Sequence, residues 1–454
     1  MKLSVIGGGG VRSVFLAKSI AGRSESLGIN EVVFSDTDAR KLEIYGGLAK
    51  GAAARLAPGL KFVLTTDKTE AVKDADYVIT TIRQGGDMLR VADERAALDL
   101  GLLGQETTGA AGFGFAMRSL PALVGYCELA LKYAKPEVKI FNFTNPAGLM
   151  TQSLACLGYS NAFGVCDAPS GMLRQFADYL GADVKDLRAE CYGLNHLSFF
   201  ADITLNGQSV MRKLMEDDEA YKHTDLRFFD KSKVLELGEI PNEYLYYYFS
   251  PEKAVRNILT SGKTRGETIA EINRCMTEEL SLPQIKGDYD KSLEVFEKWH
   301  GRRENAYMAT ETGVKRDKPW HFDLYSPDDG GYAGVALKYM DIVRGGGTGE
   351  MILCVRNGGG LDFLENDDTV EITCDVSSKG AVPHKIHVGE GYQKQIITLM
   401  KQYERLASEA LINKSVSAAV EALSINPFVG NRRDARTLVD RFLQISKDYT
   451  YDWK

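Results

Sequence analysis

The stretch KLSVIGGGG at residues 2–10 decides the fold, because a short apolar segment ends in four consecutive glycines. A helical pattern of apolar residues follows over residues 11–20. A strand, a glycine-rich turn and a helix in this order are typical of a dinucleotide site. There the glycines let the backbone approach the pyrophosphate, whose charge meets the helix N-terminus. We therefore predict a nucleotide-binding turn at the start of this sequence.

An acid at the end of the next predicted strand bears on the choice of cofactor. EVVFSD at residues 31–36 places Asp36 where a carboxylate usually hydrogen-bonds the ribose 2′-hydroxyl of NAD, and it would repel the extra phosphate of NADP. The glycine pattern is imperfect, because Arg12 stands where GxGxxG has its third glycine. Asp36 could instead cap the helix that follows, for which Asp38 is the better candidate. The residues predicted to bind NAD⁺ are Gly7, Gly8, Gly9, Gly10, Val11, Arg12 and Asp36.

The alternation of strands and helices continues beyond the nucleotide turn. Further strand candidates are KFVLTTD at 61–67, DADYVITTI at 74–82, VKIFNFTNP at 138–146 and NAFGVCDAP at 161–169. Such alternation predicts a parallel, doubly wound sheet with helices on both faces. We therefore predict an α/β fold whose first domain, residues 1–170, is a Rossmann-type NAD-binding domain.

The pattern changes after about residue 185. ECYGLNHLSFFADITL at 190–205 reads as two strands with no helix between them, and antiparallel strands are predicted near residues 351–377. A long amphipathic helix is predicted from residue 391 to 413. We predict that residues 171–454 form an α+β domain for substrate binding, metal binding and oligomerisation, as in lactate and malate dehydrogenases.

Composition limits the class of protein. The 55 Lys and Arg against 62 Asp and Glu give a net charge of −7, which offers no general attraction to nucleic acid or to an anionic membrane. The seven cysteines are scattered and form no CxxC pair, which is typical of a reduced protein. The sequence opens on a strand and has no long apolar run, so we expect no signal peptide, no membrane partner and a cytoplasmic location.

Four segments carry clusters of polar residues. They are residues 83–109 with Arg83, Arg90 and Glu106, FTNPAG with Asn145, VCDAP with Cys166 and Asp167, and GLNHLSF with Asn195 and His196. Asn145, Cys166 and Asp167 follow predicted parallel strands, and ligands of doubly wound sheets lie beyond the carboxyl ends of such strands. Each feature also has a structural explanation: buried packing for the cysteine, a turn for TNP, and a solvated helix face for DER at 93–95.

Taken together, these segments resemble family 4 of the glycoside hydrolases. The matching residues are the glycine-rich start, Arg90 with Asp93 and Glu94, GQETTG at 104–109, Thr144-Asn145-Pro146, Cys166-Asp167, Asn195-His196, Ile240-Pro241 with Tyr244-Leu245, Thr264-Arg265 and Asn426-Pro427. They cover most of the chain in the family's order. GQETTG and IPxxYL are the most specific of them.

The resemblance implies a hydrolysis that differs from the usual two-carboxylate mechanism. Bound NAD⁺ oxidises carbon 3 of the sugar, which acidifies the proton on carbon 2. A base removes that proton, and the glycosidic bond breaks by elimination of the leaving group. Water then adds to the unsaturated sugar, and the hydride returns to carbon 3. The resemblance makes Tyr244 the base, Asp167 the proton donor to the leaving oxygen, and Cys166 and His196 the ligands of a divalent metal, usually manganese. It gives sugar-binding roles to Arg90, Glu106, Asn145, Asn195 and Arg265.

The resemblance also predicts the substrate, a 6-phospho-glucoside whose phosphate meets Arg265, and a homodimer or homotetramer. Arg265 could instead form a helix salt bridge with a residue four positions away. Asp167 resembles members that act on 6-phospho-α-glucosides, whereas GLNHLSF and TRGETIAEI at 264–272 resemble 6-phospho-β-glucosidases. On balance we expect the β-anomer. The family's Gly-Gly-Ala-x-Tyr-Ser stretch reads GGYAGV at 330–335, without its polar residues.

Three other functions remain open from the sequence. One is a family member acting on another 6-anionic glycoside, such as a uronide or a sulfosugar. A second is an NAD-dependent dehydrogenase of 2-hydroxy acids, which would need no metal cysteine. A third is an NAD-binding sensor without enzymatic activity.

Overall fold

The computed structural model describes residues 1–316, 319–326 and 331–454. The strands of these residues are β1 (Lys2–Ile6), β2 (Glu31–Ser35), β3 (Lys61–Thr65), β4 (Tyr77–Thr80), β5 (Lys139–Asn142), β6 (Ala162–Gly164), β7 (Leu187–Leu194), β8 (Leu197–Leu205), β9 (Gln208–Ser209), β10 (Ile240–Pro241), β11 (Gly349–Arg356), β12 (Thr369–Ser377) and β13 (Gly380–Pro383).

The helices of the first half are α1 (Ser13–Leu27), α2 (Ala39–Lys41), α3 (Gly47–Leu56), α4 (Lys68–Val72), α5 (Gly86–Leu98), α6 (Ala111–Tyr133), α7 (Ala147–Cys156), α8 (Ala168–Leu180), α9 (Met211–Glu216) and α10 (Asp218–His223). Those of the second half are α11 (Lys231–Leu237), α12 (Leu245–Phe249), α13 (Pro251–Ser261), α14 (Arg265–Leu280), α15 (Tyr289–Asn305), α16 (Ala309–Thr312), α17 (Gly331–Arg344), α18 (Tyr392–Asn413), α19 (Val416–Ile425) and α20 (Arg432–Ile445). A π-helical turn spans Leu42–Gly46, and 3₁₀ turns span Val184–Asp186 and Asp225–Phe228.

The first six strands form one parallel sheet in the order β3-β2-β1-β4-β5-β6. This is the Rossmann order, in which β1 to β3 are added toward one edge of the sheet and β4 to β6 toward the other, so that the order switches between β1 and β4. The four central strands β1, β2, β4 and β5 are buried except at their first residues, as expected for a sheet covered on both faces by helices. The predicted α/β fold class is confirmed.

The antiparallel strands predicted near residues 351–377 are also confirmed, but they extend the first sheet instead of forming a separate one. β11 pairs antiparallel with β6 and with β12, and β13 closes the nine-stranded sheet at its edge. Gly164 lets β11 approach, because a Cβ at this position would lie 2.6 Å from the Cβ of Cys354. Two parts of the chain that are far apart in sequence therefore share one sheet. The division into domains near residue 170 stays a prediction.

A smaller antiparallel sheet carries the predicted Asn-His pair. β7 and β8 form a hairpin, confirming two strands with no helix between them, and β9 and β10 pair with β8. Asn195 and His196 form its turn, and His196 has a φ of 62°. Thr373 of β12 accepts from the backbone N–H of Cys191 and donates to the carbonyl of Ala189, so this hairpin is held against the large sheet.

The helix predicted from residue 391 to 413 is confirmed as α18. α14 begins with a capping box, in which the Thr264 hydroxyl accepts from the backbone of Glu267 while the Glu267 carboxylate accepts from the backbone of Thr264. Of the segment at 330–335, residue 330 lies outside the described residues, and α17 begins at Gly331. Among the residues that the structure describes, no helix has the length and apolar character needed to cross a bilayer.

Candidate functional site

A cavity of about 680 Å³ lies against the glycine-rich turn and the loops that follow β4 and β5. Its volume is in the range of small-molecule and cofactor sites. All of the predicted cofactor residues except Gly8 contribute to its wall. The wall also includes Arg90, Glu106, Asn145, Tyr244 and Arg265. The fold thus brings the predicted nucleotide turn and most of the predicted sugar-binding residues to one space.

The glycine turn leaves room for a ligand because its residues lack side chains. Gly7 has a φ of 96°, and a Cβ there would lie 2.5 Å from the carbonyl oxygen of Thr81. Gly8 lies behind the turn, where a Cβ would meet the Cβ of Phe34 at 2.6 Å. Arg12 precedes the first residue of α1, so the third position of the motif is the entry to that helix. The turn therefore fits a pyrophosphate at a helix N-terminus.

Asp36 braces this turn. One carboxylate oxygen accepts from the backbone N–H of Gly9 at 3.0 Å, and the other accepts from the backbone N–H of Asp38 at 3.0 Å. The helix that follows is capped by Asp38, which accepts from the backbone of Lys41. Asp36 is thus not the helix cap, and its carboxylate faces the cavity at the end of β2.

Glu106 is the centre of a buried ion-pair network on the cavity wall. Its two oxygens accept from Arg83 at 2.8 and 3.1 Å, and the Nε of Arg90 lies 3.0 Å away. The Asn145 amide donates to the same carboxylate at 3.4 Å. Burial disfavours the charged form of Glu106, yet Arg83 and Arg90 outweigh it and hold its pKa well below the usual range. These groups present a fixed, charged pattern that suits the hydroxyls of a sugar.

The interpretation of DER at 93–95 as a solvated helix face is wrong. Asp93 is 1% exposed and pairs with the fully buried Arg118. Glu94 is 4% exposed and accepts from Arg90 at 2.8 Å and from the backbone N–H of Gly266 at 2.7 Å. Glu94 therefore ties the sugar-pocket arginine to the start of α14, because a buried carboxylate needs such partners.

The predicted metal ligands lie outside the lining of the cavity, in the buried layer beside it. His196 is 4% exposed, and its Nδ1 is buried without a hydrogen-bond partner among the described residues. Burial lowers the pKa of His196 to about 3, so the imidazole is neutral, as a metal ligand must be. Burial raises the pKa of the Cys166 thiol well above its usual range, with a further contribution from Glu371, and a bound cation would reverse that shift. A neutral imidazole is a common ligand of divalent first-row metals, and a thiol becomes such a ligand when it loses its proton to the solvent on metal binding.

Glu371 of β12 lies near Cys166 and is hydrogen-bonded to the residue that precedes His196. It acts electrostatically on Cys166, and it accepts from the Asn195 amide at 3.1 Å and from the Ser198 hydroxyl at 3.2 Å. Asn195 immediately precedes His196, and its own amide oxygen is buried without a partner among the described residues. Asn195 is therefore beside the predicted metal ligands and not on the cavity wall.

Tyr244 joins the buried layer to the cavity. Its ring stacks on His196 with centroids 3.6 Å apart and an interplanar angle of 8°. A hydrogen bond links it to Tyr307, whose pKa is raised well above the usual range by burial and by Tyr244. Because Tyr307 keeps its proton, it is able to donate to a Tyr244 phenolate and favour that form.

Asp167 lies directly before α8, next to Cys166. Burial raises the pKa of Asp167, while Arg12 and Arg174 oppose this rise. A raised pKa favours the protonated form, which is the form that a proton donor to a leaving oxygen needs.

Arg265 is the first residue of α14, and the helix salt bridge considered for it is not formed. One guanidinium nitrogen donates to the backbone carbonyl of Arg303 at 3.3 Å. Another, Nη1, is buried without a hydrogen-bond partner among the described residues. The guanidinium also lies 5.8 Å from the ring centroid of Tyr307. Arg265 is therefore positioned beside Tyr307, the hydrogen-bond partner of Tyr244, with a donor available for a ligand.

Sequence reasoning gave no role to three residues of this site. Arg83 was visible in a polar cluster after β4, but its pairing with Glu106 was not. Glu371 lies within an apolar strand of the second half, and only the sheet extension brings it to Cys166. Tyr307 has no local signal, because it follows the end of α15 in an irregular turn.

Models of two parts of one family match the chain. The model of family 4 glycosyl hydrolases matches residues 2–182, and that of the family's C-terminal domain matches residues 191–429. The 6-phospho-beta-glucosidase BglT of Thermotoga maritima is 31% identical over 99% of both chains. The maltose-6′-phosphate glucosidase MalH of Clostridium acetobutylicum is 26% identical over 99% of this chain and 98% of its own.

Solved structures agree with these relatives. A structure of the 6-phospho-beta glucosidase from Thermotoga maritima with NAD and glucose-6-phosphate superposes with a TM-score of 0.82, at 28% identity and 99% coverage of both chains. The same enzyme with manganese, NAD⁺ and glucose-6-phosphate gives a TM-score of 0.81, at 28% identity and 99% coverage of both chains. A 6-phospho-alpha-glucosidase from gut microorganisms, with NAD and glucose-6-phosphate, gives 0.81 at 25% identity over 100% of this chain and 99% of that one. The predicted resemblance is confirmed: the chain belongs to family 4 of the glycosyl hydrolases.

Proposed function

We propose that this chain hydrolyses 6-phospho-glucosides, using NAD⁺ and a divalent metal, with manganese as the usual ion. The observation that carries the proposal is the cavity that joins the glycine turn and Asp36 to the Arg90–Glu106–Asn145 pocket, Tyr244 and Arg265. A nucleotide and a sugar bound in this one space would have their reactive carbons side by side. The solved relatives with NAD and glucose-6-phosphate support the same pairing of ligands.

When bound, NAD⁺ supplies reversible oxidation at carbon 3, and a divalent metal supplies Lewis-acid stabilisation of negative charge on the neighbouring sugar oxygens. Gly7, Gly9, Gly10, Val11, Arg12 and Asp36 would hold the nucleotide, with Gly8 packing behind them. Cys166 and His196 would hold the metal.

The remaining chemistry belongs to side chains of the chain itself. Arg90, Glu106 and Asn145 orient the sugar, since their mutual hydrogen bonds fix them before the substrate arrives. Tyr244, as the phenolate, accepts the proton from carbon 2, and the hydrogen bond donated by Tyr307 favours that phenolate form beforehand. The Asp167 carboxyl gives its proton to the leaving oxygen, which the raised pKa of that group favours.

We propose a preference for the β-anomer. The relative that is 31% identical is a 6-phospho-beta-glucosidase, and the GLNHLSF turn and the TRGETIAEI helix resemble such enzymes. Asp167 after the predicted metal cysteine resembles α-acting members instead. Removal of the proton on carbon 2 does not depend on the configuration of carbon 1, so the α-anomer should also be cleaved, at a lower rate.

We further propose that the chain works in the cytoplasm as a homodimer or homotetramer. None of the seven cysteines forms a disulfide in the structure, which is consistent with a reducing compartment. Sedimentation equilibrium of the purified chain tests the oligomer, and a single species of monomer mass would contradict it.

A screen of nitrophenyl glycosides tests the proposed function. Both anomers of the glucoside, each with and without a 6-phosphate, are incubated with NAD⁺ and manganese. We expect release of nitrophenol from the phosphorylated glucosides, faster from β than from α, and no net accumulation of NADH. Nitrophenyl glucuronides and sulfosugars are included in the same screen, and their cleavage in place of the phosphorylated glucosides would support the alternative 6-anionic substrates. Stoichiometric NADH without nitrophenol would contradict a glycosidase and support a dehydrogenase.

A further inference from the structure

Arg303 is a second buried arginine at the end of the cavity where Arg265 lies. It belongs to α15, its side chain is 12% exposed, and it contributes to the cavity wall. Its backbone carbonyl accepts the hydrogen bond from Arg265, so the two residues are adjacent. Neither its position in the sequence nor a motif marked it as a ligand-binding residue.

Both arginines direct an unpaired donor into this region. The Nε of Arg303 and the Nη1 of Arg265 are buried and lack a hydrogen-bond partner among the described residues. The nearest carboxylate to the Arg303 Nε is that of Glu304, at 3.9 Å, which is too long for a hydrogen bond. Glu304 is also shared with His300 at 3.3 Å. Buried donors are nearly always satisfied, so two unpaired ones beside a cavity indicate a ligand that accepts from both.

The local charge points to an anionic ligand. Burial, with Arg12, Arg265 and Arg90 nearby, lowers the pKa of Arg303 to about 9 although Glu304 opposes this. Glu311 also lies near Arg265, but burial raises its pKa and thereby favours the uncharged form. Arg90 is already paired with Glu94 and Glu106. Among the described residues neither Arg265 nor Arg303 donates a hydrogen bond to a carboxylate, so an anion here would offset the charge of these two guanidinium groups.

Two anions of the proposed reaction carry phosphate: the sugar and the dinucleotide. Arg12 belongs to the nucleotide turn, whereas Arg303 is bonded to Arg265, which lies against Tyr307 beside the proposed base. The phosphate of the sugar is therefore the better candidate for the anion that the two arginines bind. Building on the proposed function, we propose that Arg303 and Arg265 together bind the phosphate on carbon 6, and that Arg303 makes the enzyme select a dianionic substituent over a hydroxyl or a carboxylate.

The test compares Arg303→Met with Arg302→Met. Arg302 is the adjacent arginine of the same helix, but it is exposed and stacks on Trp299, 4.3 Å from the ring centroid. Kinetics on nitrophenyl glucoside 6-phosphate, calorimetric binding of glucose 6-phosphate, and NAD⁺ affinity are measured for the holoenzyme. In Arg303→Met we expect KM and the dissociation constant of glucose 6-phosphate to rise roughly 10- to 100-fold, the worth of a charge-assisted hydrogen bond. NAD⁺ affinity should stay unchanged, and Arg302→Met should behave as wild type.

Other outcomes overturn the proposal. If Arg303→Met loses NAD⁺ affinity while glucose 6-phosphate binds normally, the anion is the pyrophosphate of the cofactor. If it matches Arg302→Met in every measurement, Arg303 has no part in selecting the substrate. If the methionine variant does not fold, Arg303→Lys takes its place and should also bind glucose 6-phosphate more weakly, because it keeps the charge but loses the planar guanidinium fork. Wild type must in addition bind glucose 6-phosphate roughly tenfold or more tightly than glucuronate, and equal binding refutes selection of a dianion. Failure of the proposed function would be seen separately, as wild-type enzyme that cleaves no phosphorylated glucoside.

Discussion

Glu106→Gln tests the charge network on which the sugar pocket depends. The substitution keeps the size of the side chain but removes the charge, and it places an amide donor against a guanidinium donor. The lost partners are Arg83 at 2.8 Å and Arg90 at 3.0 Å. Removing one member of a buried ion pair costs about 3–5 kcal/mol. The Arg83 side chain is 31% exposed, so solvent screens its part of the interaction, and we expect about 3 kcal/mol of lost stability.

The pH dependence of this loss has a defined sign. Burial opposes the charge of Glu106, but Arg83 and Arg90 hold its folded-state pKa well below the unfolded value of about 4.3. The stabilisation is therefore complete above the unfolded pKa, and it is lost as the pH falls towards the folded pKa. The difference in free energy of unfolding between wild type and Glu106→Gln should have its full value at pH 7 and should become smaller below about pH 4.

Guanidinium unfolding at several pH values measures the effect. Glu128→Gln is the matched control, because it makes the same change at an exposed position of α6. We expect the control to unfold like wild type and Glu106→Gln to unfold at a lower denaturant concentration. Coincident midpoints for the two variants at pH 7, or a difference that does not narrow on acidification, would refute the reasoning.

Three further predictions concern the cofactor, the metal and the base. Asp36→Ala should weaken NAD⁺ binding by about 1–3 kcal/mol, measured by calorimetry, because a charged hydrogen bond to the ribose and the brace on Gly9 are lost; unchanged affinity would remove Asp36 from the site. Chelated enzyme should be inactive and recover with manganese, whereas Cys166→Ser and His196→Ala should fail to recover and should bind less manganese in equilibrium dialysis. Full activity of chelated wild type would contradict the metal assignment. Tyr244→Phe should lose roughly 10²–10⁴-fold in kcat with normal NAD⁺ and manganese binding, since only the hydroxyl is removed; a normal rate would place the base elsewhere.

The first six strands could be predicted because the evidence for them is local. Each is a short apolar run, and the turns after them hold glycine, proline or an acid whose spacing is characteristic of a nucleotide fold. Asp36 and the glycine turn follow from the same local pattern. The attachment of β11 to β6 could not be predicted this way, because the two strands are far apart in sequence. No local pattern in either strand indicates which strand it pairs with.

The interpretation of residues 93–95 as a solvated helix face was wrong because two of their charged groups are buried. Asp93 and Glu94 look like a solvated helix surface because neighbouring charges usually face water. They are buried because Arg118 of α6 and the start of α14 supply partners from other helices, while Arg90 supplies one from the same helix. Helical periodicity reports which face of a helix is apolar, but it does not report whether a polar face meets a compensating charge.

The exchange of the carbon 2 proton tests the central claim most directly. Glycosidases that use two carboxylates break the bond through an oxocarbenium-like state and leave that proton in place. Elimination must remove it, and the intermediate must then regain a hydrogen from solvent or from the base. The phosphorylated glucoside is hydrolysed in heavy water with NAD⁺ and manganese, and the sugar product is examined by NMR. We expect deuterium at carbon 2 of the product. Product that keeps its original hydrogen there would contradict an elimination in which the carbon 2 proton exchanges with solvent.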